Sequence, residues 1–339
     1  MVGNARAIAV KMHAMIRFHV DYVTEPESSS DPIGFLLDTL AQPGSLLILI
    51  AGGLVVVAAL AAWARWRPLE PARRRFIERT DTYHEYLPWI IRLSVGLVLI
   101  GSGLSRALLL PNLEADALPA LVLMATGFLL LLGLAVRPAA LVALVLYLVN
   151  LVLHPEAVMM LDVAGGLAVA AILGLGRPSV DDLLRAAFPR GPGAKAATQN
   201  LAAGRYDDVV PLLVRLGLGG AFAASGIVDK LLIHEQALAA VEKYGLTSVV
   251  PVSAEMWVVG AFLVETALGL AILFGVLTRF CAVLAFAVLT QTLFALPDDP
   301  VIAHVGLFGL SSVLVILGGG RWSLDRLVLA PLGERVRHP

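Results

Sequence analysis

Nine stretches of this chain are apolar for long enough, or nearly so, to cross the hydrocarbon of a bilayer as helices. They are Ser45–Trp63, Pro88–Leu109, Leu118–Ala135, Pro138–Leu153, Val158–Leu175, Val209–Leu232, Ala254–Val276, Thr278–Phe294 and Val301–Leu317. A spanning helix needs roughly 17–25 such residues. Several runs are joined by only a few residues, so successive helices must lie antiparallel in a bundle. A soluble bundle would need a polar outer face. With 15% charged residues and a mean hydropathy of +0.85, this chain has too little charge to make one. The expected partner is therefore the lipid bilayer. The formal net charge of -1 gives no reason to expect a nucleic acid. The one cysteine, Cys281, excludes an internal disulfide and a cysteine-ligated cluster. Residues 1–44 mix acids and bases ahead of the first run, unlike a cleaved leader.

The basic residues set the expected topology, because cytoplasmic loops are enriched in Lys and Arg. If the first helix runs inward, one side receives Arg65, Arg67, Arg73, Arg74, Arg75 and Arg79, then Arg137. The same side receives Arg177, Arg185, Arg190, Lys195 and Arg205, then Arg279, and finally Arg321, Arg326, Arg335 and Arg337. The opposite loops hold Lys243, with Arg106 and Lys230 near helix ends. The N-terminus is thus expected outside and the C-terminus in the cytoplasm; Arg6, Lys11 and Arg17 in the N-terminal tail run mildly against this. The Arg65–Arg79 segment is expected to be a solvated loop, with a surface helix as the alternative. Trp63, Trp66, Trp89, Trp257 and Trp322 fall near helix ends, where aromatic residues anchor at the interface.

The chain also matches itself. Pro88, Arg92, Gly96 and Ser102-Gly103 have counterparts in Pro211, Arg215, Gly219 and Ser225-Gly226. Further on, Gly127, Gly133, Arg137, Pro155 and Asp162 correspond to Gly269, Gly275, Arg279, Pro297 and His304. The stretch from Gly176 to Asp181 resembles that from Gly320 to Asp325. The second copy has a longer first loop, residues 233–253. The expected architecture is an all-α polytopic membrane protein of about nine transmembrane helices. It consists of two tandem, parallel four-helix bundles (88–185 and 209–328) with one extra helix ahead of them. Residues 1–44 would be a tail, 45–87 the extra helix with its Arg-rich linker, 186–208 a flexible linker, and 329–339 a cytoplasmic tail.

Ionisable side chains inside hydrocarbon cost about 2.5–3.5 kcal/mol each at a helix centre and demand a partner or a wet cavity. Glu265 sits mid-helix; it would accept a proton or orient a ligand, or else pair with Arg215 or Lys230 to fix packing. Arg215, and Arg92 in the first copy, lie about one turn inside their helices. They would snorkel to headgroups or clamp an anion. Lys230 lies near the other end, where snorkelling is the stronger expectation. Asp162 and His304 would line a polar vestibule with His154 and His234. The ligand-binding candidates are therefore Glu265, Arg215, Lys230, His304, Arg92 and Asp162. No metal site is expected, since the histidines lack ligand spacing. A haem would need an axial pair such as His154 and His304, and nothing around them favours it.

The second copy, with Arg215, Ser225-Gly226-x-x-Asp229-Lys230, Glu265-x-x-x-Gly269, Gly275-x-x-x-Arg279 and Gly318 to Asp325, resembles the DoxX family. The first copy departs from the pattern: Leu123 stands where the second has Glu265, and Arg106 only roughly replaces Asp229-Lys230. The family consists of small membrane proteins, some linked to quinone-dependent sulfur oxidation or to membrane oxidoreductase assemblies. The resemblance therefore implies a quinone-linked membrane subunit with quinone as its candidate cofactor. Its electrons would come from a membrane or soluble redox partner, and an oligomer is compatible with this. A transporter or ligand-binding protein, or a structural subunit recruiting partners, are the alternatives. Whether the chain is an enzyme stays open on the residues alone.

Overall fold

A computed structural model describes residues 31–66, 70–106, 117–174, 176, 178–187, 208–297 and 301–329. Every regular element among them is helical. The elements are α1 (Pro32–Ala41), α2 (Pro43–Trp66), α3 (Glu70–Thr80), α4 (Leu87–Ser105), α5 (Ala117–Leu132), α6 (Val136–Leu153) and α7 (Leu161–Leu173). After them come α8 (Val180–Ala187), α9 (Val209–Ser225), α10 (His234–Lys243), α11 (Ala254–Phe274), α12 (Thr278–Ala295) and α13 (Val301–Leu317).

Among the described residues, six helical segments are long and apolar enough to cross a membrane. A seventh arises if α1 and the first part of α2, bent by 84° at their junction, count as one. The nine apolar runs of the sequence correspond to these six, to α2, and to the shorter apolar helices α5 and α13. Their outward faces are apolar: Leu118, Leu121, Val145, Val152, Phe280 and Phe294 are all exposed. So much exposed apolar surface suits hydrocarbon rather than water.

The packing forms two groups of four. Helix α4 packs on α5, α5 on α6 and α6 on α7; likewise α9 packs on α11, α11 on α12 and α12 on α13. The groups meet reciprocally, the first helix of each against the last of the other (α4 on α13, α9 on α7). One hydrophobic core runs through both. Small residues set these approaches, as they do where membrane helices pack closely. A Cβ on Gly219 would lie 2.6 Å from the Leu273 backbone nitrogen, and one on Gly96 3.0 Å from the Gly127 carbonyl. Across the interface Gly165 meets Gly217, and Gly309 meets Ser94.

The same end is built alike in both groups. Arg92 donates from Nη2 to the carbonyls of Gly176 (3.1 Å) and Pro178, and from Nε to that of Pro88 (3.2 Å). Arg215 donates to the carbonyls of Gly319 (3.1 Å) and Trp322 (3.0 Å). The Asp325 carboxylate caps α12, accepting from the Leu277 (2.6 Å) and Thr278 (2.8 Å) amides; Asp181 accepts from the Ala135 amide (2.8 Å) ahead of α6. A carboxylate there satisfies amide groups the helix start leaves unbonded, and it complements the helix dipole. Gly133 and Gly275 sit at φ +66 and +70, against the Arg92 and Arg215 guanidinium groups. Any side chain there would be strained and would displace the arginine. We call this the clamp end.

Four sequence expectations change. Residues 1–44 are not all tail: Asp31 caps α1 through its side chain (2.8 Å to the Gly34 amide), with Pro32 in the first turn. Ten residues are too few to register as a span. The Arg-rich segment expected as a loop is helical at Glu70–Thr80, where Glu, Ala and Arg favour a helix. The loop 233–253 contains α10. The run Val209–Leu232 is not one regular helix, since Gly226–Leu232 widens into a π-turn. The expectations for Arg6, Lys11, Arg17, Arg177, Lys195, Arg335 and Arg337 lie outside the described residues, as do those for the linker core and C-terminal tail.

Candidate functional site

The π-turn Gly226–Leu232 follows α9 directly. Its i→i+5 alignment brings Lys230 over Ser225, five residues earlier, while Asp229 stands over Ser225 at four. Both charged neighbours therefore point inward, and they are 1% and 9% exposed for Asp229 and Lys230 respectively. Lys230 Nζ lies 3.2 Å from Glu265 Oε2 and 3.4 Å from Asp229 Oδ2, and it also donates to Ser225 Oγ at 3.4 Å. Ser225 donates to Asp229 Oδ2 at 2.7 Å. Gly226 allows this cluster to form: a Cβ there would sit 2.6 Å from Thr266 Oγ1 and 3.2 Å from Glu265 Cβ. That closeness brings Glu265 on α11 to the lysine.

The cluster forms part of the wall of a cavity of about 480 Å³ at the end opposite the clamp. Ser225, Lys230, Glu265, Asp162 and His304 supply polar groups to its wall, with Gln291 and Thr292. Phe222, Met160, Met256, Val264, Leu289 and Leu307 are among the apolar residues that make up most of the rest. His304 is 1% exposed, and Asp162 packs against Gly306 of α13. Trp257 also lines the cavity, and its indole Nε1 is buried without a hydrogen-bond partner. Among the described residues, no three His, Cys, Asp or Glu side chains stand together as a metal-binding group.

The structure thus brings four of the six sequence candidates together: Glu265, Lys230, His304 and Asp162. Arg215 and Arg92 are not among them. They are 2% and 1% exposed at the clamp end, bonded to carbonyls rather than reaching headgroups or the cavity. Lys230 does not snorkel, because the π-turn rotates it inward to two carboxylates. Of the two pairings weighed for Glu265, the one observed is with Lys230. His154 stands at the end of α6 and takes no part in the cavity wall, while His234 is buried beneath a stacked Phe35 ring, centroids 4.0 Å apart. Three contributors were not among the candidates. Ser225 was visible only as part of a motif, Asp229 also as a charge within an apolar run but without a ligand role, and Trp257 read as an interfacial anchor.

Residues 210–298 match the family model for DoxX. That segment, about a quarter of the chain, is similar to DoxX domains. The DoxX match takes in α9, the π-turn, α10, α11 and α12, and so Ser225, Asp229, Lys230 and Glu265. His304 and Asp162 complete the cavity from outside its bounds. No curated protein and no solved structure matched the chain. With its apolar helices and this DoxX-like segment, the chain is a multi-pass integral membrane protein.

Proposed function

We propose that the cavity of the second helix group binds a quinone, and that the protein serves as the membrane subunit of a quinone-linked oxidoreductase system. The observation that carries this reading is a mostly apolar cavity of about 480 Å³ whose polar groups are gathered around Lys230. A quinone head group needs hydrogen-bond donors for its carbonyls within an apolar enclosure. Lys230 Nζ, the His304 imidazole and the unpartnered Trp257 Nε1 are donors of that kind on this wall. When bound, a quinone takes up two electrons and two protons, with the electrons coming from a membrane or soluble partner. Glu265 and Asp229 hold Lys230 in place and keep its charge matched within the bundle. Glu265, on the cavity wall and bonded to Lys230, is the carboxylate positioned to pass a proton inward.

Around this site the proposal has two tandem DoxX-like units, 88–185 and 209–328, of which only the second keeps the cavity cluster. The clamp end, rich in Arg, would face the cytoplasm and place the N-terminus outside. The second reading is a transporter or ligand-binding protein for another amphipathic molecule, favoured by the same apolar cavity.

The test is titration of the purified protein with ubiquinone and menaquinone analogues, followed by mass spectrometry of its lipid extract. Saturable quinone binding that Lys230→Met abolishes while the helix content holds supports the reading. Binding of neither quinone type, with uptake of another solute lost in Glu265→Gln, replaces it with transport.

A further inference from the structure

The cavity's walls differ in how they are closed. Its end is roofed by α10 and the segment after it, through Ala237, Val241, Leu246, Val250 and Val252. All five are apolar, and although Val250 is 44% exposed, none of them offers a polar side chain to carry water past. Helix α10 is pinned by its own small core with Val258 and Trp257, and by the stack of Phe35 from α1 on His234. An apolar roof held at two points is a poor route for water or a polar solute.

The side is different. Ile48 of α2 and Val264 of α11 line the cavity and are also 47% and 52% exposed. Gln291 of α12 lines it and is exposed as well. Leu47 and Leu54 of α2, Leu270 of α11 and Phe294 of α12 are exposed and apolar on the same three helices. Gly260, one turn before Val264 on α11, also lines the cavity, and a Cβ built on it would meet nothing within 4 Å among the described residues. The other glycines of α9 and α11, by contrast, are jammed against a neighbouring helix. Close packing therefore gives no reason for a glycine at 260, while an opening does.

We infer that the cavity exchanges its ligand sideways with the bilayer, through a gap between α11 and α12 rimmed by Ile48, Val264 and Gln291. The ligand class follows: a membrane-dissolved amphiphile whose head reaches Lys230 and Glu265 and whose tail lies in the gap. This deepens the reading of the cavity as a ligand site. Lipid acyl chains share the tail's chemistry, so they sample the gap too.

The test uses the full-length chain with Trp257 as its sole tryptophan, the other four changed to Phe. It is reconstituted in phosphatidylcholine brominated on its acyl chains, which quenches indole at short range. The expected result is quenching of Trp257 that is lost in Gly260→Phe and kept in Gly260→Ala, a control whose Cβ meets nothing. Quenching that Gly260→Phe leaves unchanged overturns the gap, as does no quenching in any of the three. Circular dichroism confirms that each variant folds. Uptake of a long-tailed quinone, measured on the same vesicles, separates the two claims. If no variant takes up quinone while lipid quenching still depends on residue 260, the side entrance stands and the quinone reading falls.

Discussion

The two helix groups share one end and differ at the other. At the clamp end Arg92 and Arg215 bond the carbonyls of equivalent closing turns, and Asp181 and Asp325 cap equivalent helices. At the cavity end the second group buries Asp229 and Lys230 and sets the half-buried Glu265 against them. In the first, Leu123, which the sequence self-match aligns with Glu265, is fully buried. Tyr147, aligned the same way with the cavity-lining Leu289, is fully buried too, with its hydroxyl donating to the Ala157 carbonyl at 2.7 Å. What both groups keep is what holds four helices together. What only one keeps costs stability and so calls for a function.

The largest effect should come from breaking the shared end. Arg92→Ala and Arg215→Ala each leave buried carbonyls unpaired and remove charge-assisted hydrogen bonds. Each should destabilise the fold by about 3–5 kcal/mol, read as thermal unfolding in detergent. If Arg215→Ala instead left the fold intact and removed ligand binding, the clamp would belong to the site and the comparison would fail. Lys230→Met alone strands two carboxylates and should cost about 3 kcal/mol. Leu123→Glu puts an acid into the first group without a lysine and should cost about 2.5–3.5 kcal/mol by the same assay. A tolerated Leu123→Glu would reveal a hidden partner there. Gly219→Ala drives a methyl against the backbone of Leu273, and about 1–3 kcal/mol of destabilisation is expected. The smallest change in stability should come from the triple variant Asp229→Asn, Lys230→Met, Glu265→Leu, which removes every charge of the cluster at once. Replacing a whole buried ion cluster by matched apolar and neutral groups is often near neutral. The same variant should lose its ligand entirely.

The helices were legible because hydropathy and length report directly on hydrocarbon. Arg92 and Arg215 were visible as buried charges, but not their partners: turn carbonyls carry no sequence signature. Lys230 misled because counting along a regular helix puts it near the end, free to snorkel. A single π-turn rotates it inward, and nothing but the adjacent Gly226 hints at that. Asp162 and His304 were matched by position, and the reciprocal contact of the two groups is what brings both onto one cavity. Trp257 lay at a helix end, as an anchor would; only the fold reveals that its indole nitrogen is buried on the cavity wall.

The central claim is that one group holds a ligand and the other does not. A photoreactive quinone analogue, crosslinked to the protein in native membranes and mapped by peptide mass spectrometry, tests it most directly. The account predicts label on peptides that line the cavity, within 222–265 and 288–307 and at 159–162 where the first group borders it, and none on α4 or α5. Label on residues 88–132 would contradict it.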